Sequence, residues 1–305
     1  GVTDDEWHLF LSGLKPDELN FWKPSPRSNF TALRPGEFFL FKLHSPRNYI
    51  VGGGVFSSYS VLPISMAWDA FGEKNGAPLY EVMRAQILGH RSDKIGEFED
   101  FDIGCIILTQ PFFFPEEDWF QVPEWSREIV TGKTYTLDTP GGRQIWKDLS
   151  SALQKYREFG LDQEMRRIEE ESPQYGKETV IHPRLGQGAF KISVTDAYSR
   201  SCAISEEHAL PALEAAHIKP YSLSGPHQVK NGLLLRSDIH RLFDKGYITV
   251  TPDYHVEVSR RLKDDFKNGR YYYPFHGSNL ANLPRNQADL PSKEFLIWHN
   301  DNVFR

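Results

Sequence analysis

The chain contains little cysteine and no long apolar run. Cys105 and Cys202 are its only cysteines, too few for a disulfide framework or for a zinc site built from four cysteines. No apolar stretch approaches the roughly 18 residues that a membrane-spanning helix needs. The first residues, GVTDDEWHLF, also lack the basic start and apolar core of a signal peptide. These absences predict a cytoplasmic protein with no structural zinc and no membrane partner.

The chain also lacks a strong charge of either sign. Its 305 residues carry a net charge of −6, which argues against a protein that coats nucleic acid without selectivity. Segment 184–263 differs from the rest, because it holds 11 Lys and Arg against 8 Asp and Glu, a surplus of 11 − 8 = +3. The remainder therefore carries −6 − 3 = −9. A mildly basic segment in an acidic chain is typical of local contact with phosphates.

The length and the hydrophobic pattern indicate two domains of a mixed α+β class. Residues 1–140 alternate aromatic and polar positions, which predicts strands, and glycines 52–54 predict a turn between two of them. Residues 141–176 have a helical period and are predicted to form a helical linker. Residues 177–305 follow the order strand, loop, strand, helix, strand, which predicts a second compact domain.

Three polar residues of the second domain stand in contexts that suggest chemistry. His217 ends an apolar strand, LEAAHI, and Asn231 precedes Gly232 and a second apolar run. His240 lies in the helical sequence SDIHRLFD, and Asp244 follows it by one turn on the same helix face. A neutral imidazole can accept a proton from water near neutral pH. The three residues are therefore candidates for a hydrolytic site.

Their spacing and contexts resemble those of the HNH nuclease family over about residues 184–261. The resemblance implies a ββα-metal fold, hydrolysis of DNA phosphodiester bonds, and one divalent ion per site, Mg²⁺ or Mn²⁺, with other divalent transition metals open. It implies His217 as the general base, Asn231 as the brace of the loop, and His240 as a metal ligand. The form NGLLLRSDIHRLFD is similar to that of bacterial restriction endonucleases.

The sequence departs from one common form of this motif. Many members carry an aspartate ligand immediately before the base, where this chain has Ala216. Asp244 is therefore predicted as the second metal ligand beside His240, and Glu214 on the preceding strand is the alternative. Cys202 lies where related domains often begin a zinc-binding cysteine pair, and we expect it in the core instead.

Other polar residues near the motif are predicted to face solvent or to contact DNA. Basic residues in the loops and on the helix are predicted to contact the DNA backbone, which positions DNA without reading its sequence. These residues are Lys219, Lys230, Arg236 and Arg241. His208, His227 and His255 are predicted as surface or loop residues, and His227 is a weaker candidate for phosphate contact.

The first 140 residues resemble an EVE-type member of the PUA superfamily. The resemblance rests on FWKPSP, on FFLFKLHSPRNYIVGGG, and on PFFFPEEDWFQVPEWS followed by GKTY. It implies a small β-barrel that flips a modified base into an aromatic pocket, with Trp22, Pro24, Tyr59 and Trp119 as the candidate lining. EVE–HNH fusions are restriction endonucleases that prefer 5-methylcytosine or 5-hydroxymethylcytosine, so the implied partner is double-stranded DNA with modified cytosine.

Two alternatives remain open at this point. One is an HNH endonuclease with a different base preference or none. The other is a DNA-binding regulator with an inactive nuclease domain, a reading that Ala216 makes worth testing. Because one HNH site cuts one strand, cleavage of both strands implies two encounters or a homodimer, stable or transient.

Overall fold

The computed structural model describes residues 1–26, 29–122, 125–126, 129, 131–158 and 185–305. The chain divides into two compact units, Gly1–Arg184 and Leu185–Arg305. The first part of the predicted linker forms a helix within the first unit, and residues 159–176 lie outside the described residues. No helix among the described residues is both long and apolar enough to cross a membrane.

The first unit is a mixed unit around one six-stranded sheet. The strand order is β1-β3-β4-β5-β2, with β6 paired to β4, and the sheet curls into a half-barrel. Its elements are β1 (Val2–Thr3), α1 (Asp5–Leu14), β2 (Glu18–Lys23), β3 (Phe38–Leu43), β4 (Tyr49–Pro63), α2 (Ile64–Phe71), α3 (Tyr80–Gly89), β5 (Asp102–Phe113), β6 (Phe120–Gln121) and α4 (Pro140–Glu158).

The glycines at 52–54 lie inside β4, so the turn predicted there is wrong. The turn lies instead at residues 44–48, between β3 and β4. The glycines serve a close approach of two strands, because a Cβ atom at Gly52 would lie 2.2 Å from the carbonyl oxygen of Phe112 on β5. A glycine in a strand therefore marks crowding by a neighbouring backbone here and not a change of chain direction.

The core of the first unit is largely aromatic. On one part of the sheet, Trp7 of α1 makes edge contacts with Phe41 of β3, with ring centroids 5.1 Å apart. On another, Leu149 and Leu153 of α4 are buried against a cluster that includes Phe112. Helix α4 is thus held to the sheet by the apolar stripe that its helical period predicts.

The second unit has the predicted order of elements around the site. It contains α5 (Gln187–Ala197), β7 (Leu213–His217), β8 (Gly232–Arg236), α6 (Ser237–Asp244), β9 (Ile248–Val250), β10 (Val256–Val258), α7 (Arg261–Phe266) and α8 (Lys293–Asn302). Strands β7 and β8 pair antiparallel, and β9 pairs antiparallel with β10. The strand–loop–strand–helix–strand prediction corresponds to β7, β8, α6 and β9 and is confirmed.

Burial of the β7–β8 hairpin explains why its sequence is so apolar. Leu233, Leu234 and Leu235 are all fully buried, and α5 and α6 both pack on the hairpin. Continuous apolar runs are expected where both faces of a strand are covered. Cys202 is fully buried in the same core, as predicted.

Candidate active site

His217 is the last residue of β7 and pairs with Gly232, the first residue of β8. Its ring stacks on Phe190 of α5, with centroids 3.9 Å apart and planes 15° apart. Its Nε2 atom lies 3.0 Å from Nδ1 of His227. The end of the strand, the stacked ring and the second histidine together define the orientation of the imidazole.

The electrostatic surroundings of His217 keep it neutral. Burial is the largest cause that lowers its pKa to about 4, and the neighbouring His227 and His240 contribute to the same shift by repelling a positive charge. An imidazole with this pKa carries a free nitrogen lone pair at neutral pH. The group is therefore in the state that can accept a proton from water.

Asn231 closes the loop between β7 and β8. It is fully buried, and its Oδ1 accepts a hydrogen bond from the backbone N–H of Lys219 at 2.9 Å. Its Nδ2 donates to the carbonyl oxygens of Lys219 and Pro226, both at 3.0 Å. Asn231 thus joins two backbone segments of the loop, one of which directly follows His217.

His240 lies between two carboxylates. Its Nδ1 is 2.6 Å from Oε2 of Glu214 on β7, and its Nε2 is 3.4 Å from Oδ2 of Asp244 on the same helix. Loss of hydration raises the pKa of Asp244, and the charge of Glu214 raises it further, while His240 and Lys245 oppose this change. Glu214 and Asp244, the two candidates for the second metal ligand, therefore both lie beside the imidazole ring of His240.

His240 and Asp244 supply two donor atoms of the kinds that divalent ions bind. Two donor atoms bound to one ion lie about 3 Å apart, which is close to the separation of Nε2 of His240 and the Asp244 carboxylate. A histidine ligand commonly donates its other ring N–H to a carboxylate, which matches Glu214. Across the described residues, no group of three or more His, Cys, Asp or Glu is arranged to hold an ion.

The four basic residues predicted to contact DNA have different surroundings. Arg236 donates two hydrogen bonds to Asp238, at 2.6 and 2.8 Å, and these bonds raise the pKa of its guanidinium. Nζ of Lys219 lies 5.6 Å from the centre of the Trp298 ring. Lys230 and Arg241 are exposed. The prediction of DNA contact therefore fits Lys230 and Arg241 best, since Arg236 is engaged within the fold.

The predicted aromatic pocket of the first unit needs correction. Trp22 on β2 pairs with Cys105, whereas Tyr59 on β4 pairs with Ile106, the next residue of β5. Because neighbouring residues of a strand point to opposite faces, Trp22 and Tyr59 lie on opposite faces of the sheet. The four predicted residues do not line one pocket.

The remaining contacts of these residues support that correction. Trp22 donates its indole N–H to the carbonyl of Asn75, and the carbonyl of Pro24 accepts a hydrogen bond from Arg91. Tyr59 and Trp119 are half-buried and pack against the same aromatic cluster of the sheet. These two remain candidates for a binding face, while Trp22 and Pro24 belong to the opposite side of the sheet or its loop.

Two residues beside His217 were not identified as site residues from the sequence. Phe190 was predicted only as part of a helix, and His227 as a surface or loop residue that was a weaker candidate for phosphate contact. Both contact the ring of His217 instead, Phe190 by stacking and His227 through nitrogen. The only sequence signal for His227 is its place in the polar loop between the two motif strands.

Comparison with known families agrees with the position of this site. Residues 202–251 match the sequence model of an HNH endonuclease family, HNH_2. The matched segment contains His217, Asn231, His240 and Asp244, and it spans well under half of the chain. The second unit thus contains an HNH endonuclease domain. No curated protein matches the chain.

Proposed function

We propose that the chain is a metal-dependent DNA endonuclease whose site lies on the β7–β8 hairpin and α6. The observation that carries the proposal is that the matched segment contains two histidines in different chemical surroundings. His217 is half-buried and neutral, whereas His240 lies between two carboxylates. One arrangement suits proton transfer and the other suits a bound cation.

His217 takes the proton of the attacking water in this scheme. The water oxygen bonds to phosphorus, its proton moves to the imidazole, and the bond to the departing 3′-oxygen breaks. Asn231 keeps the loop closed behind the base. Positioned proton transfer of this kind contributes about 10²- to 10⁴-fold to a rate.

His240 and Asp244 would hold the divalent ion, Mg²⁺ or Mn²⁺, and Glu214 would orient the His240 ring through Nδ1. When bound, such an ion supplies positive charge that stabilises the charge developing on the phosphate. The distances favour Asp244 over Glu214 as the second ligand, because Glu214 is hydrogen-bonded to the ring nitrogen that faces away from Asp244.

Nicking of plasmid DNA by the full chain tests this function. Supercoiled plasmids with unmodified and methylated cytosine are incubated with Mg²⁺, Mn²⁺ or EDTA. We expect conversion to nicked circles with a metal ion and none with EDTA, and loss of conversion in His240→Ala. Absence of nicking with every metal on both plasmids would favour the inactive regulator.

We further propose that the first unit selects DNA with 5-methylcytosine or 5-hydroxymethylcytosine by flipping the base. The support is the half-barrel sheet with its aromatic lining, and the partial exposure of Tyr59 and Trp119 on that lining. Stacking on an aromatic face returns part of the few kcal/mol that flipping costs. A methyl group adds under about 1 kcal/mol, so the preference is expected to be moderate.

Digestion of matched duplexes that carry cytosine, 5-methylcytosine, 5-hydroxymethylcytosine or glucosylated cytosine tests this selection. Tyr59→Ala and Trp119→Ala should reduce the preference without removing cleavage. Lys94→Ala, an exposed substitution elsewhere in the unit, is the control. Equal cleavage of all four duplexes by the unaltered chain would favour an HNH endonuclease with no modified-base preference.

A further inference from the structure

We infer that His227 is a positioning residue of the active site. It accepts a hydrogen bond from the Nε2–H of His217 and thereby keeps the lone pair of the base on Nδ1. The inference rests on the proposed role of His217 as the base. It adds a second histidine to the machinery, located in the β7–β8 loop and acting through the first.

The distance between the two rings requires opposite roles for their nitrogens. Nε2 of His217 and Nδ1 of His227 are 3.0 Å apart, the length of a hydrogen bond in which one nitrogen donates and the other accepts. If His217 donates, its proton is on Nε2 and its lone pair is on Nδ1. A base needs its lone pair on the nitrogen that is not already engaged, so this assignment leaves Nδ1 for water.

Aromatic faces hold both imidazole planes. His217 stacks on Phe190 at 3.9 Å, and His227 stacks on Tyr221 with centroids 4.3 Å apart and planes 14° apart. The two imidazole planes themselves are 63° apart. Each ring therefore has a flat partner that resists tilting, and the hydrogen bond joins the rings edge to edge.

The loop backbone brings His227 to this place. Asn231 binds the backbone of Lys219, two residues after His217, and that of Pro226, directly before His227. The loop also turns tightly between these points, because a Cβ atom at Gly225 would lie 1.9 Å from the carbonyl oxygen of Lys219. One buried amide thus fixes the chain next to both histidines.

The pair has a defined part in proton transfer. Before the reaction, the His227 acceptor selects one tautomer of His217. When water attacks phosphorus, its proton moves to Nδ1 of His217, and the departing 3′-oxygen takes a proton from solvent. His217 is then an imidazolium. The hydrogen bond that its Nε2–H donates to neutral His227 is strengthened, since hydrogen bonds from a charged donor are stronger.

Three variants distinguish the role of His227 as a hydrogen-bond acceptor from the packing of its ring. His227→Phe keeps a flat ring for Tyr221 but has no acceptor, whereas His227→Asn places an amide oxygen near the position of Nδ1. His208→Asn, at an exposed position, is the matched control. With Mg²⁺ and duplex DNA, we expect His227→Phe to lower kcat about 10²-fold with KM within about twofold, and His227→Asn to recover at least about tenfold of that loss.

The tautomer of His217 is the second readout. Long-range ¹H–¹⁵N spectra of the metal-free full chain, assigned with His217→Ala, should show the proton of His217 on Nε2. His227→Phe should give a mixture of tautomers, and His227→Asn should restore the single form. A residue that only supports folding would leave this pattern unchanged in variants with the same melting temperature.

The outcomes separate this inference from the proposed function. Wild-type cleavage, loss of cleavage in His217→Ala, and an unchanged kcat and tautomer in His227→Phe would overturn the role of His227 alone. A loss of kcat in His227→Asn that equals the loss in His227→Phe would also overturn it. A loss of kcat in His227→Phe that disappears at higher Mg²⁺ would overturn it too, because it would indicate that His227 is a metal ligand. Absence of cleavage by the unaltered chain would overturn the proposed function. The tautomer of His217 would then still show whether His227 accepts its hydrogen bond.

Discussion

At the scale of single residues, the site contrasts two histidines of one short segment. His217 is half-buried, stacked on Phe190 and beside a second imidazole, so it is neutral. His240 has a carboxylate near each ring nitrogen, 2.6 and 3.4 Å away. The neighbours, and not the residue type, therefore give the two rings different chemistry.

The pH dependence of cleavage should report the neutrality of His217. Its pKa is lowered to about 4, so the base form, and with it the activity, is present at neutral pH and lost as the pH falls through the region of that value. We expect kcat/KM at saturating metal to stay level from about pH 8 to about pH 6. Phe190→Ala should move the midpoint upward towards the ordinary 6.5, because burial is the largest cause of the shift.

That profile is measured on the unaltered chain and on Phe190→Ala, with Phe266→Ala as the control at an exposed ring. A midpoint at or above pH 6.5 in the unaltered chain would show that the base is not desolvated.

The two carboxylates near His240 should differ in their effect on metal affinity. Asp244→Asn removes a proposed ligand, and Glu214→Gln removes only the partner of Nδ1, a change that typically costs about 10- to 100-fold in affinity. We therefore expect the Mn²⁺ concentration for half-maximal cleavage to rise more in Asp244→Asn than in Glu214→Gln. Asp253→Asn, at an exposed carboxylate, should leave it unchanged. The reverse order would make Glu214 the ligand.

At the scale of elements, the site depends on the packing of α5 against the β7–β8 hairpin. A Cβ atom at Gly232 would lie 2.5 Å from Cγ2 of Val194 and 3.1 Å from Cζ of Phe190. The φ angle of Gly232 is −125°, so the crowding and not the backbone conformation makes a side chain costly. The same helix supplies the ring on which His217 stacks.

Gly232→Ala should therefore damage stability and activity together. Overpacking of this kind lowers the free energy of unfolding by about 1–3 kcal/mol, and displacement of Phe190 should also lower kcat. Urea denaturation and duplex cleavage measure the two effects. Gly13→Ala is the control, since nothing lies within 4 Å of its added Cβ. Unchanged stability and rate in Gly232→Ala would show that α5 does not hold the base.

The success of sequence-based prediction also varied by element. The order β7, β8, α6 and β9 follows from local periodicity and from a motif confined to one segment. The glycines at 52–54 were misread because the strand that crowds them, β5, is distant in sequence. Trp22 and Tyr59 were grouped for the same reason, since their faces depend on pairing register with β5. The contact between His217 and His227 depends on how the loop between β7 and β8 closes, and the motif that implied Asn231 as the brace did not indicate that His227 would reach His217.

At the scale of the whole molecule, the chain combines two units of different composition. The first has an aromatic core around a half-barrel sheet, and the second contains the HNH endonuclease domain. The net charge of −6 includes a surplus of +3 over segment 184–263. We expect nonspecific DNA binding to be weak and to fall further as salt increases.

Because one HNH site cuts one strand, we expect the chain to cut one strand per encounter. In a time course on supercoiled plasmid, we expect nicked circles to accumulate before linear DNA appears. The rate of linearisation should rise more steeply than the enzyme concentration if two chains must meet. Linear DNA that forms without a nicked intermediate would indicate a stable dimer that acts on both strands at once.

The most direct test of the central claim is single-turnover cleavage by His217→Ala. The full chain is mixed in excess with a labelled duplex and Mg²⁺, and binding of the same duplex is measured in EDTA by fluorescence anisotropy. We predict a loss of about 10²-fold or more in the cleavage rate, with a Kd within about threefold of the unaltered chain. A cleavage rate that remains within about twofold at equal binding would contradict the assignment of His217 as the base.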